Sequence, residues 1–223
     1  MNESHLLLAS VSPRRRQLLS WIQPGFSVTS SDIDETPLPG ESPIVYVKRM
    51  AREKGEKAAL KAPDLVVVAS DTIVELDGRI LGKPGNAEEA RSMLGALRGK
   101  IHHVFTAISI HQPGADPTII DCCVVDVPMR AYSDDEMEKY ILSGDPFDKA
   151  GAYAIQNHEF HPVEQFSGCY ACVMGLPLCH LSRHIIKMGK QIAENPVSVC
   201  SQQLAYRCEI SSSVLSFTDQ ITC

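Results

Sequence analysis

The chain has 223 residues, of which 44% are apolar and 22% charged, and its formal net charge is −6. This length and apolar content allow a substantial buried core, which excludes an intrinsically disordered chain as the default interpretation. The acidic balance is unsuited to coating a nucleic acid polymer, which requires a basic face. No apolar run approaches the roughly 18 residues of a membrane helix, and the polar start carries no secretory signal. We therefore expect a cytoplasmic protein that binds neither nucleic acid polymers nor membranes.

The first part of the chain alternates predicted strands and helices. Residues 5–10 are an apolar run typical of a buried strand, and Ser12 followed by Pro13 predicts the start of a helix that runs to about Trp21. The next predicted elements are a strand at 26–31, an acidic proline-rich loop at 32–43, an amphipathic helix at 44–61 and a buried strand at 64–70. Such alternation is typical of an α/β protein.

The second part of the chain predicts long antiparallel strands. Asp77-Gly78 is a strong hairpin signal, and Ser133 with Glu136 forms a capping box that opens a helix. The other predicted elements are a helix at 87–97 capped by Asn86, strands at 101–111 and 118–131, short strands and turns at 150–172, and a closing helix within 175–190. Together these patterns predict an α/β fold with a mixed sheet. We expect one domain over residues 1–189 and a poorly patterned, loosely attached tail over 190–223.

Eight cysteines raise the question of a metal site. Cys169 and Cys172 form one C-x-x-C pair, and the nearest further ligands are Cys179, His180 and His184. A structural zinc site needs a second ligand pair at a suitable spacing. Reduced, partly buried thiols are therefore the preferred interpretation, with a zinc- or redox-responsive protein as the alternative.

A basic segment follows the first predicted strand. A strand, a loop containing Ser10 and a helix start form an arrangement that favours anions, because free backbone N–H groups and the helix dipole both attract negative charge. Arg14 and Arg15 lie in the first turn, where cations disfavour the helix itself, so they make sense if they face a polyphosphate. The alternative is that they only decorate the surface. The second basic cluster, residues 48–57, is by itself better explained as a solvated helix face.

Acidic and further basic residues suggest phosphate chemistry only when they are taken together. Asp71 follows the buried strand at 64–70, where a carboxylate could bind a divalent metal or act as a general base. Alone, it is better explained as a turn or capping residue. Lys54, Lys83 and Glu35 would complete the phosphate clamps and metal-holding carboxylates that phosphoanhydride chemistry uses. Gln156 carries an amide that could pair with a base edge or simply hydrogen-bond within its loop.

Seven segments, in this order and spacing, resemble the Maf family of nucleoside triphosphate pyrophosphatases. They are "LASVSPRRRQLL", "AREKGEKA", "SDTIV", "GKP", "VFTAISI", "DKAGAYAIQ" and "GLPL", and the resemblance covers roughly residues 5–188. It implies a fold similar to the inosine triphosphatase (Maf/Ham1-like) group, with an elongated mixed sheet flanked by helices and two lobes around a central cleft. It also implies hydrolysis of the α–β bond of a nucleoside triphosphate, a divalent cation (Mg²⁺ or Mn²⁺) and a homodimer.

The resemblance also implies a role for individual residues. Asp71 would be the general base and, with Glu35, a metal ligand, while Lys54 and Lys83 would be catalytic lysines that hold the phosphates. The residues that would bind the substrate are Ser10, Arg14, Arg15, Thr72 and Gln156. Two positions depart from the family's pattern, because Ala154 and Asn157 stand where it usually has glycine. A methyl group at 154 would crowd the site if the backbone there had a positive φ.

Three positions match one subgroup of the family. Arg14, Thr72 and Gln156, together with "DKAGAY", resemble the subgroup that prefers dTTP and UTP and accepts some modified pyrimidine nucleotides, rather than the 7-methyl-GTP subgroup. The resemblance therefore implies an enzyme that prevents such nucleotides from entering nucleic acids. The alternative is a nucleotide-binding regulator of cell division or septum formation with little catalysis.

Overall fold

The computed structural model describes residues 5–114 and 118–216. Its strands are β1 (Leu6–Ala9), β2 (Ser27–Thr29), β3 (Val66–Leu76), β4 (Arg79–Leu81), β5 (Ile101–His111) and β6 (Ile119–Pro128). Its α-helices are α1 (Pro13–Ile22), α2 (Pro43–Ala59), α3 (Ala87–Leu97), α4 (Asp134–Leu142), α5 (Tyr170–Met174), α6 (Leu178–Lys187), α7 (Pro196–Leu204) and α8 (Ser211–Leu215). Two 3₁₀ turns lie at Asp145–Asp148 and Ala150–Ala152.

The strands within the described residues form one mixed sheet. Its order is β2-β1-β3-β5-β6, and β4 pairs with β3 outside this path. The strands β2, β1 and β3 are parallel, whereas β3, β5 and β6 are antiparallel to their neighbours. Helices flank this sheet, so the predicted α/β fold with a mixed sheet is confirmed.

The central strand β3 is longer than the sequence predicted. The apolar run suggested that the strand ends at residue 70, with Asp71 beyond it, but the strand continues to Leu76. Pairing with β5 along the whole stretch from Val67 to Glu75 stabilises the extended backbone past the apolar run. The parallel pairing with β1 nevertheless reaches only Val68. Asp71 therefore lies within a strand, but beyond the part that β3 shares with β1.

Local capping and turn signals in the sequence are confirmed. The side chains of Ser12, Asn86 and Ser133 each accept a hydrogen bond from the backbone N–H three residues further on. Asp77 and Gly78 have φ angles of 52° and 81°, the left-handed pair that joins β3 to β4 in a two-residue hairpin. These short signals correctly located the helix starts and the hairpin because each acts within a few residues of the chain.

Helix α2 packs closely on the sheet at Gly55. A Cβ atom there would overlap the side chains of Ser109 and His111 on β5, so only glycine allows this approach. The hydroxyl of Ser109 donates a hydrogen bond to the carbonyl oxygen of Ala51 across the same contact, at 2.7 Å. This contact brings the neighbouring residue Lys54 against the middle of β3.

The segment after α4 differs from its prediction. Residues 150–172 were predicted as short strands and turns, whereas the structure has a 3₁₀ turn, one isolated bridge between Met129 and Val163, and the start of α5. Gly151 and Ala152 have φ angles of 69° and 62°, which break any regular strand. Close packing against the sheet, rather than a periodic pattern, determines this backbone.

The segment after residue 189 is more ordered than expected. Helix α7 contacts α1 and α6, and α8 contacts α6, with Cys200 and Val214 buried in these contacts. The backbone N–H of Ala193 donates to the carbonyl oxygen of Ile22. A loosely attached tail is therefore the wrong description of residues 190–216, and 217–223 lie outside the described residues. No helix in the described part of the chain is long and apolar enough to cross a membrane.

Candidate active site

A cavity of about 430 Å³ opens where β1 ends and β3 continues. Eight of the nine residues singled out from the sequence line it, namely Ser10, Arg14, Arg15, Glu35, Lys54, Thr72, Lys83 and Gln156. Asp71 is not among the lining residues. Its Oδ1 lies 2.6 Å from Nζ of Lys54, which does line the cavity. The fold thus brings together residues that are far apart in the sequence.

The turn from β1 to α1 supplies one wall of the cavity. Ser10 is buried, and its hydroxyl accepts a hydrogen bond from the backbone N–H of Ser12 at 3.2 Å. Ser12 caps α1, so the first turn of the helix carries Arg14 and Arg15 to the cavity. Arg14 forms an ion pair across the cavity with Asp148, at 3.2 Å. The helix start and two guanidinium groups therefore face the same space.

Arg15 is partly buried and is held by neutral oxygen atoms. Its Nε donates to the carbonyl oxygen of Gly175 at 2.9 Å, and its Nη2 donates to the hydroxyl of Thr72 at 3.0 Å. Its Nη1 lies 3.5 Å from the hydroxyl of Ser10. Burial lowers the pKa of this guanidinium from its ordinary value, and the charge of Asp71 opposes that shift only in part. Among the described residues, no carboxylate forms a salt bridge with Arg15.

Lys54 joins two carboxylates. Its Nζ lies 2.6 Å from Oδ1 of Asp71 and 2.7 Å from Oε1 of Glu35. The loop that carries Glu35 is fastened to α2 because the hydroxyl of Tyr46 donates to the Glu35 carbonyl oxygen at 2.7 Å. Burial raises the pKa of Glu35, but the hydrogen bond and charge of Lys54 outweigh it, and Lys83 adds to them, so the pKa lies below its usual value. Glu35 is therefore ionised at neutral pH.

The opposite wall contains charged residues that the sequence reasoning did not assign. Lys149 is buried, and its Nζ lies 2.9 Å from Oδ1 of Asp145 and 2.5 Å from Oδ1 of Asp148. Asp148 thus bridges Lys149 and Arg14. The sequence did contain a sign of these charged residues, because Asp148 and Lys149 begin the mostly apolar segment "DKAGAYAIQ".

The two departures from the family's glycines are accommodated. Ala154 is not among the described residues with a positive φ, so the crowding considered for it does not arise. The backbone N–H of Ala154 donates to the hydroxyl of Tyr140 at 3.1 Å. The Asn157 side chain donates to Asp145 at 3.2 Å and accepts from the backbone of Phe160 at 2.8 Å. Both residues are therefore integrated into the wall that carries Gln156.

Cationic groups outnumber carboxylates along the cavity. Five lining residues are cationic, namely Arg14, Arg15, Lys54, Lys83 and Lys149, and three are acidic, namely Asp32, Glu35 and Asp148. A chain with a net charge of −6 thus concentrates positive charge at this one place. Such a cavity attracts small anions with several charges.

The fold and the cavity define a class: α/β proteins that bind a small polyanion beside paired carboxylates. The profile of the Maf-like protein family matches residues 5–188. The chain is 41% identical over 181 residues to the dTTP/UTP pyrophosphatase of Citrifermentans bemidjiense, an alignment that covers 81% of this chain and 94% of the relative. It is 46% identical over 178 residues to the dTTP/UTP pyrophosphatase of Pectobacterium atrosepticum, which covers 78% of this chain and 88% of the relative. The chain belongs to the Maf-like protein family.

Proposed function

We propose that the protein hydrolyses nucleoside triphosphates, with dTTP and UTP as the preferred substrates, to the monophosphate and pyrophosphate. The observation that carries this proposal is the surroundings of Arg15, a partly buried guanidinium held by neutral acceptors in a cavity with excess positive charge. Because no carboxylate among the described residues forms a salt bridge with it, its charge remains available to an anionic ligand. The names of the relatives support the choice of a pyrimidine nucleoside triphosphate as that ligand.

In this proposal the two walls have different tasks. Arg14, Arg15 and Ser10 hold the phosphates at the start of α1, where the helix dipole favours negative charge. Lys83 extends the cationic surface along the chain of phosphates. Gln156 reads the base from the opposite wall. Every residue that lines the cavity lies between positions 9 and 175, which supports residues 1–189 as the catalytic domain.

The residues beside Lys54 fit a divalent cation. Glu35 and Asp71 supply hard carboxylate oxygens, and Mg²⁺ is commonly held by one or two carboxylates together with substrate phosphates and water. Among the described residues there is no group of three or more His, Cys, Asp or Glu side chains placed to hold a metal, so the substrate would complete the coordination. When bound, Mg²⁺ or Mn²⁺ would neutralise phosphate charge in the transition state.

Asp71 is the proposed general base. It would accept a proton from a water molecule as the water oxygen forms a bond to the α phosphorus. The bond from the α phosphorus to the bridging oxygen breaks, and pyrophosphate leaves with the electron pair. Lys54, which contacts Asp71 directly, would keep this carboxylate oriented.

The experiment that tests this function is a substrate panel with separate measurement of pyrophosphate and orthophosphate. The panel contains dTTP, UTP, CTP, ATP, GTP, ITP and 7-methyl-GTP, each with Mg²⁺ or Mn²⁺. We expect pyrophosphate from dTTP and UTP, and we expect kcat to fall by about 100- to 10,000-fold in Asp71→Asn. Binding of a non-hydrolysable dTTP analogue should persist in this variant.

Asp77→Asn is the matched control for the loss of a carboxylate. Asp77 lies in the β3–β4 hairpin turn, where Asn-Gly is equally favourable, so activity should be unchanged. Release of orthophosphate rather than pyrophosphate would contradict the proposed bond cleavage. Triphosphate binding without any cleavage would instead favour the nucleotide-binding regulator.

A further inference from the structure

A chain of hydroxyl groups lies beneath Arg15. Thr106 on β5 has no exposed surface, and its Oγ1 lies 2.8 Å from the carbonyl oxygen of Cys172 and 3.0 Å from Oγ1 of Thr72. The Thr72 oxygen in turn accepts a hydrogen bond from Nη2 of Arg15 at 3.0 Å. Thr106 therefore connects the body of the sheet to a side chain that faces the cavity.

The direction of these hydrogen bonds is fixed by the number of protons. A carbonyl oxygen can only accept, so the single hydroxyl proton of Thr106 is donated to Cys172. The proton of Thr72 is then donated to Thr106, and the lone pairs of Thr72 remain available for Arg15. The series runs in one direction, from the guanidinium through two threonines to a backbone carbonyl. The reverse direction would leave the Thr106 oxygen 2.8 Å from the Cys172 carbonyl oxygen with no proton between them.

A second connection reaches Arg15 through the end of α5. The carbonyl oxygen of Gly175 accepts from Arg15 at 2.9 Å, and the N–H of Gly175 donates to the Cys172 carbonyl that Thr106 holds, at 2.9 Å. Gly175 has a φ of 107°, and a Cβ atom there would lie 3.2 Å from both Arg15 Nε and Thr72 Oγ1. Thr106 thus stabilises two of the hydrogen-bonding partners of the guanidinium, Thr72 directly and Gly175 through the Cys172 carbonyl.

We propose that Thr106 is a positioning residue that fixes the guanidinium of Arg15 for its phosphate ligand. The inference rests on the proposed function in so far as Arg15 binds the triphosphate. Thr106 does not line the cavity, so it acts through Thr72 and through the Cys172 carbonyl. Small displacements of a group that holds substrate are expensive in rate, which is why a buried threonine can matter.

The test is a double-mutant cycle between Thr106 and Arg15. Thr106→Val retains the shape of the side chain but removes the hydroxyl, and Thr106→Ser retains the hydroxyl. We expect Thr106→Val to lower kcat/KM for dTTP by about tenfold to 100-fold when Arg15 is present. In an Arg15→Ala background the same change should lower kcat/KM by less than about twofold, because the group that Thr106 positions is gone. Thr106→Ser should stay within about twofold of the unmodified protein in kcat/KM.

Ser109→Ala is the control for the loss of a buried hydroxyl. Ser109 lies on the same strand, is equally buried, and donates to Ala51 of α2 rather than toward Arg15. It should lower the unfolding temperature as Thr106→Val does, and any change in kcat/KM, which Ser109 could cause through α2 and Lys54, should be the same with Arg15 and with Arg15→Ala. Equal losses from Thr106→Val in both Arg15 backgrounds, or a coupling of Ser109→Ala to Arg15 as large as that of Thr106→Val, would overturn the positioning role.

Two further arms keep the test decisive. If Thr106→Val does not fold, Thr106→Ala replaces it in the same cycle, with the same expected coupling to Arg15. If the unmodified protein cleaves no triphosphate, the proposed function fails. The cycle is then measured as the affinity for a non-hydrolysable dTTP analogue. Additive losses of affinity would reject the positioning role, whereas coupling to Arg15 would support it without catalysis.

Discussion

Arg15 and Lys54 lie in the same cavity, but their surroundings are opposite. The guanidinium of Arg15 is partly buried and is held by the neutral oxygens of Gly175 and Thr72. The ammonium of Lys54 is also partly buried, but two carboxylates lie within 2.7 Å of it. One cation is oriented without being neutralised, whereas the other is neutralised by its own chain.

This difference separates attraction of a substrate from preparation of a reaction. A cation held by dipoles retains its charge for an incoming anion, and its geometry needs no rearrangement on binding. A lysine between Glu35 and Asp71 attracts little further negative charge, but it holds the two carboxylates close together and lowers the pKa of Glu35. The arginine is therefore suited to bind phosphate, and the lysine is suited to organise the groups that act on water or a metal.

Replacing Arg15 by lysine is the change that breaks this comparison most strongly. The lysine keeps the positive charge but cannot reach Gly175 and Thr72 with the fixed donor geometry of a guanidinium. We expect kcat/KM for dTTP to fall by about 100-fold, since preorganised donors of this kind contribute that much to a transition state. Steady-state kinetics with pyrophosphate detection measures the loss.

The control for this change is Arg52→Lys. Arg52 is exposed on α2 and pairs only loosely with Glu56, at 3.7 Å. Its replacement should leave kcat/KM unchanged. Full activity in Arg15→Lys would show that positive charge alone suffices to bind the phosphates. The orientation of the Arg15 guanidinium would then not explain its role.

Glu35→Gln tests the other side of the comparison. Without the Glu35 charge, Lys54 pairs with Asp71 alone and holds it more tightly, while one candidate metal ligand is lost. We expect the Mg²⁺ concentration required for half-maximal rate to rise by about tenfold, in the range of changes around metal sites. A titration with Mg²⁺ at saturating dTTP measures this shift. Glu53→Gln, which loses a carboxylate paired with Arg49 at 3.4 Å, is the matched control. An unchanged Mg²⁺ requirement would contradict a metal role for Glu35.

The sequence predicted the Arg15 side of the site better than the opposite wall. The strand, the Ser12 cap and the arginines are adjacent in the chain, so a local pattern was enough to predict an anion site there. Asp71 was predicted to lie just beyond the end of a buried strand. It lies near the cavity as expected, but within β3, because pairing with β5 extends this strand past it. Local apolar patterning could not reveal a strand that tertiary pairing extends.

The opposite wall depends on contacts that no local pattern encodes. The sequence motif around residues 148–156 was noticed, but only Gln156 received a role. Asp148 forms an ion pair with Arg14, which is more than 130 residues away in the chain, and another with the adjacent residue Lys149. Gly175 is likewise important only because its left-handed backbone contacts Arg15, which is 160 residues away in the chain. These features required the fold before they could be recognised.

Asp148→Asn gives the smallest expected effect, and it should improve substrate binding, whereas the other variants impair the enzyme. Asp148 pairs with Arg14 at 3.2 Å and competes with an incoming phosphate for that guanidinium. Its removal should lower KM for dTTP by about two- to fivefold, which is the range of a partly exposed ion pair, and leave kcat nearly unchanged. The gain should shrink at high salt, because ions screen exposed charges.

Asp134→Asn, which breaks an exposed pair with Arg98, should have no effect on KM. A higher KM in Asp148→Asn would instead mean that Asp148 orients Arg14 for the substrate. The wall that carries Asp148 would then fix Arg14 in place, much as Thr72 and Gly175 fix Arg15.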